Sequence, residues 1–312
     1  MNGVILIDKP AGMTSRDVVD VVQKRLGVKK AGHAGTLDPL ATGVLVVCIN
    51  EATKLVQFLS QDHKEYEGTM ILGLRTDTWD REGKSLAQEE PRVNEAEILE
   101  TIRVFRGKRT QAVPAYSAVK YRGKPLYKWA RQGAPVEVPA RAVEIHTLEL
   151  IGVDLPYVTF TVSCSKGTYI RSLCHEIGEV IGCGACLWSL RRTRSGTFSL
   201  QNALPLEEVD DADFVASGRD FLISMADALP SLKSIEIDQF IEEGLKLGRQ
   251  PSAGNLKNIH MPLFAKGDVI KFVAAGGGLV AVAETLYGTN DLASLPPGSQ
   301  VARVLRVFGT EN

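Results

Sequence analysis

Chemistry first becomes legible in this chain at a single carboxylate in a short glycine-bounded loop. Residues 32–39 read Gly-His-Ala-Gly-Thr-Leu-Asp-Pro, and the apolar run from Gly43 to Ile49 follows. Asp38 is therefore held just ahead of a buried strand, and Gly32 and Gly35 allow close backbone approach to a partner. Phosphate cradling does not fit. A Walker-type loop needs Lys and then Ser or Thr after its second glycine, and a dinucleotide loop needs Gly-x-Gly-x-x-Gly opening a helix. The loop offers one acid, a histidine (His33) five residues earlier, and no second catalytic carboxylate nearby. On spacing alone this is either a reactive carboxylate on a rigid scaffold or an ordinary Asp-Pro turn.

Charge points toward a polyanionic partner only when its distribution is considered. The 312 residues carry a net charge of -1, which does not announce a nucleic-acid binder. From Thr101 to Arg131, however, Arg103, Arg106, Lys108, Arg109, Lys120, Arg122, Lys124, Lys128 and Arg131 occur with no acidic residue, interleaved with Tyr116, Tyr121, Tyr127 and Trp129. Glu207, Glu208, Asp210, Asp211, Asp213, Asp220 and Asp227 supply the opposing charge later. The basic block is either an RNA-facing surface or a solvated face. No stretch of about 18 uninterrupted apolar residues occurs, and Asp8, Lys9 and Pro10 stand where a signal peptide would be apolar. A cytoplasmic location is the expectation.

The cysteines imitate a metal site. Cys174 and His175, followed by Cys183 and Cys186, have zinc-ligand types. The helical spacing of Ile170, Leu173, Cys174, Ile177 and Ile181 turns Cys174 to a core, with His175 projecting about 100° away. No metal is expected, and the thiols read as reduced.

The elements that must position Asp38 follow from pattern. A strand at Val4–Ile7 precedes a helix capped by Thr14 or Ser15 and ended at Gly27. After the loop come a strand at 44–49, a helix near 52–59, and an alternating strand with Tyr66 at its mouth. Helices are expected over 95–105, 125–132 and 169–181, and strands over 142–150 and 157–164. With no regular βαβ beat, the fold class is α+β with a mixed or antiparallel sheet flanked by helices. A break near Leu229-Pro230-Ser231 separates residues 1–230 from 231–312, where a leading helix over 235–247 and three strands form a small β-rich unit.

Five blocks in order carry a resemblance. They are Val4 to Ser15 with its Asp-Lys-Pro, the Asp38 loop, Lys64-Glu-Tyr66, Lys166-Gly-Thr-Tyr-Ile-Arg-Ser-Leu173, and Leu190-Arg-Arg-Thr-Arg-Ser-Gly196. Together they resemble the bacterial tRNA pseudouridine-55 synthases, the TruB family. The resemblance implies that Asp38 is the catalytic acid, with Arg171 as the guanidinium that offsets its burial. It implies that Tyr66 and Tyr169 lie against a flipped uracil, that the backbone of Leu190 reads the base edge, and that His33 meets the RNA. Lys9 and Asp80 take supporting roles. It further implies tRNA as partner, through the T arm, no cofactor, and a PUA-like unit over 231–312 reaching the acceptor end. A monomer is the default. A relative working inside a guide-RNA particle fits less well, for want of basic terminal extensions. From another class, a tRNA-binding folding chaperone with catalysis secondary or lost is the rival, and a zinc-binding interaction protein comes third.

Overall fold

The computed structural model describes residues 1–133, 136, 140–209, 221–257 and 259–309. Asp210, Asp211, Asp213 and Asp220 of the acidic stretch lie outside the described residues.

One large mixed sheet carries the site. Strand β1 (Gly3–Lys9) pairs antiparallel with β3 (Thr42–Ile49), to which the short β2 (Ala31–His33) adds. Helix α1 (Ser15–Arg25) lies between β1 and β2 in the chain and is opened by a capping box: Thr14 takes the Asp17 amide and Asp17 takes that of Thr14. Such a cap stabilises a helix by about 1 kcal/mol. The sheet continues through β4 (Lys64–Leu72), β7 (Gly107–Ala112), β10 (Ala140–Asp154), β11 (Tyr157–Cys164) and β12 (Ala185–Ser195). A ribbon of β5 (Leu74–Thr76) and β6 (Ser85–Gln88) hangs beside it, with the Asp80 loop at its tip. From β3 to the far edge the order is β3-β12-β4-β11-β10-β7. The β12 to β3 pairing is parallel and the others on this path are antiparallel.

Alternation explains the inward faces. Along β11 every second residue from Val158 to Cys164 is buried, as the period of a strand requires. Helix α3 (Glu95–Arg103) and helix α5 (Ile170–Ile181) close one face over Ile98, Ile102, Leu148, Phe160, Leu173 and Ile177. Gly182, at φ +101°, ends α5 in the left-handed conformation that glycine accepts best. The expected helix near 52–59 is instead a 3-10 turn (Asn50–Leu55) running into a single α turn (Val56–Leu59).

Past residue 230 the structure departs from the expected leading helix. Residues Lys233–Ile237 form a strand parallel to Val269–Ala274, and helix Gln239–Lys246 follows it. Alternating Ile235 and Ile237 point inward there, a period of two that a helical reading across the segment absorbs as noise. Strands Leu279–Thr285 and Ala302–Val307 complete this four-stranded sheet. Leu279, Val282 and Phe308 join Val4, Leu6, Val44 and Val46 of the large sheet in one apolar cluster. Buried Lys271 also donates to the carbonyls of Ala226 (2.7 Å) and Leu229 (3.0 Å). Among the described residues no helix is long and apolar enough to cross a membrane.

Candidate active site

The Asp38 loop is held from four directions. Lys9, at the end of β1 and fully buried, donates its ammonium to the carbonyls of Pro10 (2.8 Å), Pro39 (3.2 Å) and Ala41 (2.7 Å). Ser15 receives the Leu37 amide at 2.8 Å and donates to the Leu37 carbonyl at 3.0 Å. Gly12 donates to the Pro39 carbonyl at 2.9 Å. Arg192, only 1% exposed, donates to the carbonyls of Val44 (2.8 Å), Gly35 (3.1 Å) and Thr36 (3.5 Å). Gly43 makes the last approach possible, since a Cβ on it would lie 2.3 Å from the Arg192 carbonyl oxygen. Such a loop carries little freedom to wander, which is what a preorganised group needs.

Arg171 is the hub of the charges. It sits on the first turn of α5, 4% exposed, with Nε 2.9 Å from Oδ2 of Asp38 and Nη2 3.4 Å from Oδ1. The Nε contact is electrostatic, because its N–H is not aligned on any acceptor. Nη1 reaches Asp80 at 3.3 Å and the Thr78 carbonyl at 3.1 Å, and Nη2 also donates to the Tyr116 carbonyl at 3.1 Å. Asp80 is itself fixed by the Thr78 hydroxyl (2.7 Å) and the Glu82 amide (3.1 Å). The start of α5 is pinned by Gln111, which accepts from the Tyr169 amide (2.8 Å) and donates to the Tyr169 carbonyl (3.0 Å).

Electrostatics refine the expectation for Asp38. Burial raises its pKa above the ordinary carboxylate value, and nearby Asp80 adds to that, while Arg171 and Lys9 pull it down. The net direction is upward, so the guanidinium offsets burial only in part. Burial lowers the Lys9 pKa to about 8. His33, on β2, is pushed toward the neutral form by burial and by Arg192 and Arg16.

Asp38, Arg171, Asp80 and Lys9 thus come together. Tyr66, 9% exposed on β4, and Leu190, 8% exposed on β12, share an apolar cluster with Leu37 and Leu40 beneath the loop. Burial raises the Tyr66 pKa to about 12, with the positive charge of Arg192 opposing. Tyr169 stands just before α5, its ring 5.5 Å from the Arg141 guanidinium. His33 stands at the start of the same loop, its backbone paired in the sheet with Val47 and its imidazole under the influence of Arg192.

The basic residues are not all free to meet phosphate. Arg192 is not available to phosphate, because it is buried and its donors go to loop carbonyls. Alternation with Leu190 along β12 is the sequence signal for its burial. The basic block also divides. Arg103 pairs with Glu100, Arg109 with Glu176 at 3.0 Å, and Arg106 donates to the Leu148 carbonyl at 3.0 Å. Residues 120–131 form a small hairpin and a turn of helix (Leu126–Ala130), where Arg122 lies over Tyr121, Lys124 over Trp129 and Arg131 over Tyr127. Cys174 is fully buried and His175 lies flat on Trp79. Among the described residues no group of three His, Cys, Asp or Glu side chains could hold a metal ion.

Solved structures share this architecture across almost the whole chain. One, described as an H/ACA RNP bound to a substrate RNA containing 2'-deoxyuridine, matches with a TM-score of 0.76 and 27% identity, covering 99% of this chain and 85% of that one. A Cbf5-Nop10-Gar1 complex matches with a TM-score of 0.75 and 29% identity over 98% of this chain and 85% of that one. The fold is therefore that of pseudouridine synthases of this type.

Sequence relatives narrow the class. Residues 23–170 match the TruB family pseudouridylate synthase N-terminal domain, and residues 171–227 match the tRNA pseudouridylate synthase B C-terminal domain. The tRNA pseudouridine synthase B of Syntrophus aciditrophicus is 49% identical over 99% of both chains. That of Geobacter sulfurreducens is 41% identical over 99% of this chain and all of its own. The chain belongs to the TruB family of pseudouridylate synthases.

Proposed function

We propose that this chain isomerises a uridine of tRNA to pseudouridine, that the uridine lies in the T loop, and that Asp38 is the group that acts on it. One observation carries the choice of Asp38. Of the two carboxylates on Arg171, Asp80 is closed in at 7% side-chain exposure while Asp38 keeps an open edge at 36%. The reaction breaks the bond from N1 to C1', turns the freed uracil, joins C5 to C1', releases the proton of C5 and returns one to N1. No electrons are exchanged, so a lone carboxylate suffices. Capture of C1', assistance to its departure, and addition to the pyrimidine ring each require that carboxylate ionised.

The other residues divide the work. Arg171 orients Asp38 and favours its charged form. Extruding the uridine costs a few kcal/mol, and stacking on an aromatic returns about 1–3 kcal/mol. Tyr66 is the stacking platform, Tyr169 the second aromatic, the Leu190 backbone reads the base edge, and His33 meets the RNA. Lys9 holds the loop and Asp80 holds Arg171. The hairpin at 120–131 contacts phosphates, which supply affinity but no sequence reading. Residues 231–312 act as a PUA-like RNA-binding unit beside a catalytic unit of residues 1–230. The enzyme works as a monomer in the cytoplasm.

Tritium release from 5-tritiated uridine in an unmodified T-arm transcript tests this, comparing the parent chain with Asp38→Asn at equal RNA binding. Release by the parent alone is expected. Equal release by Asp38→Asn refutes the role of Asp38, and binding without release by either refutes the substrate.

A further inference from the structure

Trp79 adopts φ +63°, in the left-handed region that bulky residues avoid. Strain of this kind persists only where the surroundings enforce it, and it gathers at working sites. Contacts on two sides enforce it here. On the backbone side, the Trp79 carbonyl accepts from the Leu187 amide at 3.0 Å and the Arg81 amide donates to the Leu187 carbonyl at 2.9 Å, which seats the loop on β12. On the side-chain side, the indole lies flat on His175, with ring centroids 4.5 Å apart and planes 6° from parallel. Nδ1 of His175 is buried without a hydrogen-bond partner, so the imidazole meets this loop through its face.

His175 follows Arg171 by one turn of α5, which puts the two side chains on the same helix face. The neighbours of Trp79 are the groups that grip Arg171: the Thr78 carbonyl at 3.1 Å and the Asp80 carboxylate at 3.3 Å. The loop therefore meets α5 at two successive turns, through a ring at one and a guanidinium at the other. The remaining edge of that guanidinium faces Asp38.

We infer that Trp79 and His175 form a stacked wedge that aims the Arg171 guanidinium at Asp38, which makes both of them positioning residues for the isomerisation. The inference rests on the reading of Asp38 as the reacting carboxylate. The stack presses the strained turn toward α5; without it, the turn keeps its hydrogen bonds to Leu187 but holds the Thr78 carbonyl and Asp80 carboxylate less firmly on Arg171. The charged groups facing Asp38 are Arg171, Asp80 and Lys9. Arg171 is the strongest of those that favour its ionised form, so a loosened Arg171 leaves Asp38 protonated to higher pH.

Steady-state tritium release across pH tests the wedge in Trp79→Phe, Trp79→Gly, His175→Ala and the Trp79→Gly/His175→Ala double variant, with Asp38→Asn alongside. Glycine accepts the left-handed turn, so Trp79→Gly removes the ring without adding backbone strain. Trp79→Gly and His175→Ala are expected to lower kcat on the order of ten- to a hundredfold, with KM for tRNA unchanged and the acid limb of kcat moved to higher pH. Trp79→Phe keeps a flat ring and stays near the parent. The double variant is no worse than Trp79→Gly, because both changes remove one stack. Parental kcat and acid limb in the single variants, effects confined to KM, or effects that multiply in the double each overturn the wedge. Release by Asp38→Asn at the parental rate overturns the underlying reading, whatever the Trp79 variants do.

Discussion

Replacing Arg171 with methionine removes the cation that Asp38 and Asp80 share while keeping most of the buried volume. The pair with Asp80 sets the magnitude, since both partners are nearly closed off, at 4% and 7% side-chain exposure. Deleting one member of a buried ion pair costs about 3–5 kcal/mol, because the other is left charged and unpaired. The carbonyls of Thr78 and Tyr116 lose their donor as well. Against a total stability of roughly 5–15 kcal/mol, Arg171→Met should be visibly weakened but still foldable. Equilibrium urea unfolding at neutral pH reads the loss. The double variant Arg171→Met/Asp80→Asn should recover a large part of it, since the amide needs no counter-charge and can still accept from Thr78 and the Glu82 amide. A deficit below about 1 kcal/mol, the level of an exposed pair, or one that Asp80→Asn leaves untouched, refutes the view of Arg171 as a buried hub.

Further outcomes follow from the same geometry. Because the folded pKa of Asp38 is raised, this group's stabilising contribution is complete below the ordinary carboxylate value and is lost as pH rises through the folded one. Asp38→Asn should therefore melt above the parent at neutral pH, with the gap closing as pH falls toward the ordinary carboxylate range, as thermal scans across pH would show. Lys9 has the opposite linkage: its pKa falls from 10.5 to about 8, so its contribution appears as pH rises from about 8 toward 10.5, and part of that gain should vanish in Lys9→Met. Gly43→Ala forces a Cβ to 2.3 Å from the Arg192 carbonyl and should cost roughly 2–4 kcal/mol by urea unfolding, with activity falling as the Asp38 loop is displaced. Neutralising Lys120, Arg122 and Lys128 together should weaken tRNA binding and lower the salt slope by about 0.7–0.9 for each phosphate that is no longer neutralised.

Where one periodicity rules a segment, the sequence is a good guide to the fold. Strand Tyr157–Cys164 and helix Ile170–Ile181 lie where their patterns put them, to within a residue. Strand Ala185–Ser195 is harder to read, since the charges of Arg191, Arg192 and Arg194 weaken the apolar alternation and leave the place of Arg192 beside Leu190 as its main trace. The join at Lys233–Lys246 mixes periods of two and 3.6 within fourteen residues, and the stronger helical signal masks the strand. Of the candidate site, Asp38 is singled out by its loop and Arg171, Lys9 and Asp80 by the family resemblance, and the four stand in one cluster. The parts that Ser15, Gln111, Arg192 and Trp79 play in it cannot. Each acts through backbone atoms or ring faces of partners distant in the chain, and spacing along a sequence holds no record of such contacts.

The apolar cluster that Leu279, Val282 and Phe308 share with Val4 and Val46 bears on how the tail can be studied. Ending the chain near residue 230 would uncover hydrophobic surface on the large sheet and leave Lys271's two carbonyl acceptors bare. A clipped protein that sticks to itself would report on missing cover, not on weakened RNA binding. Surgery at this seam has to be done by exchanging surface side chains, with the joint left intact.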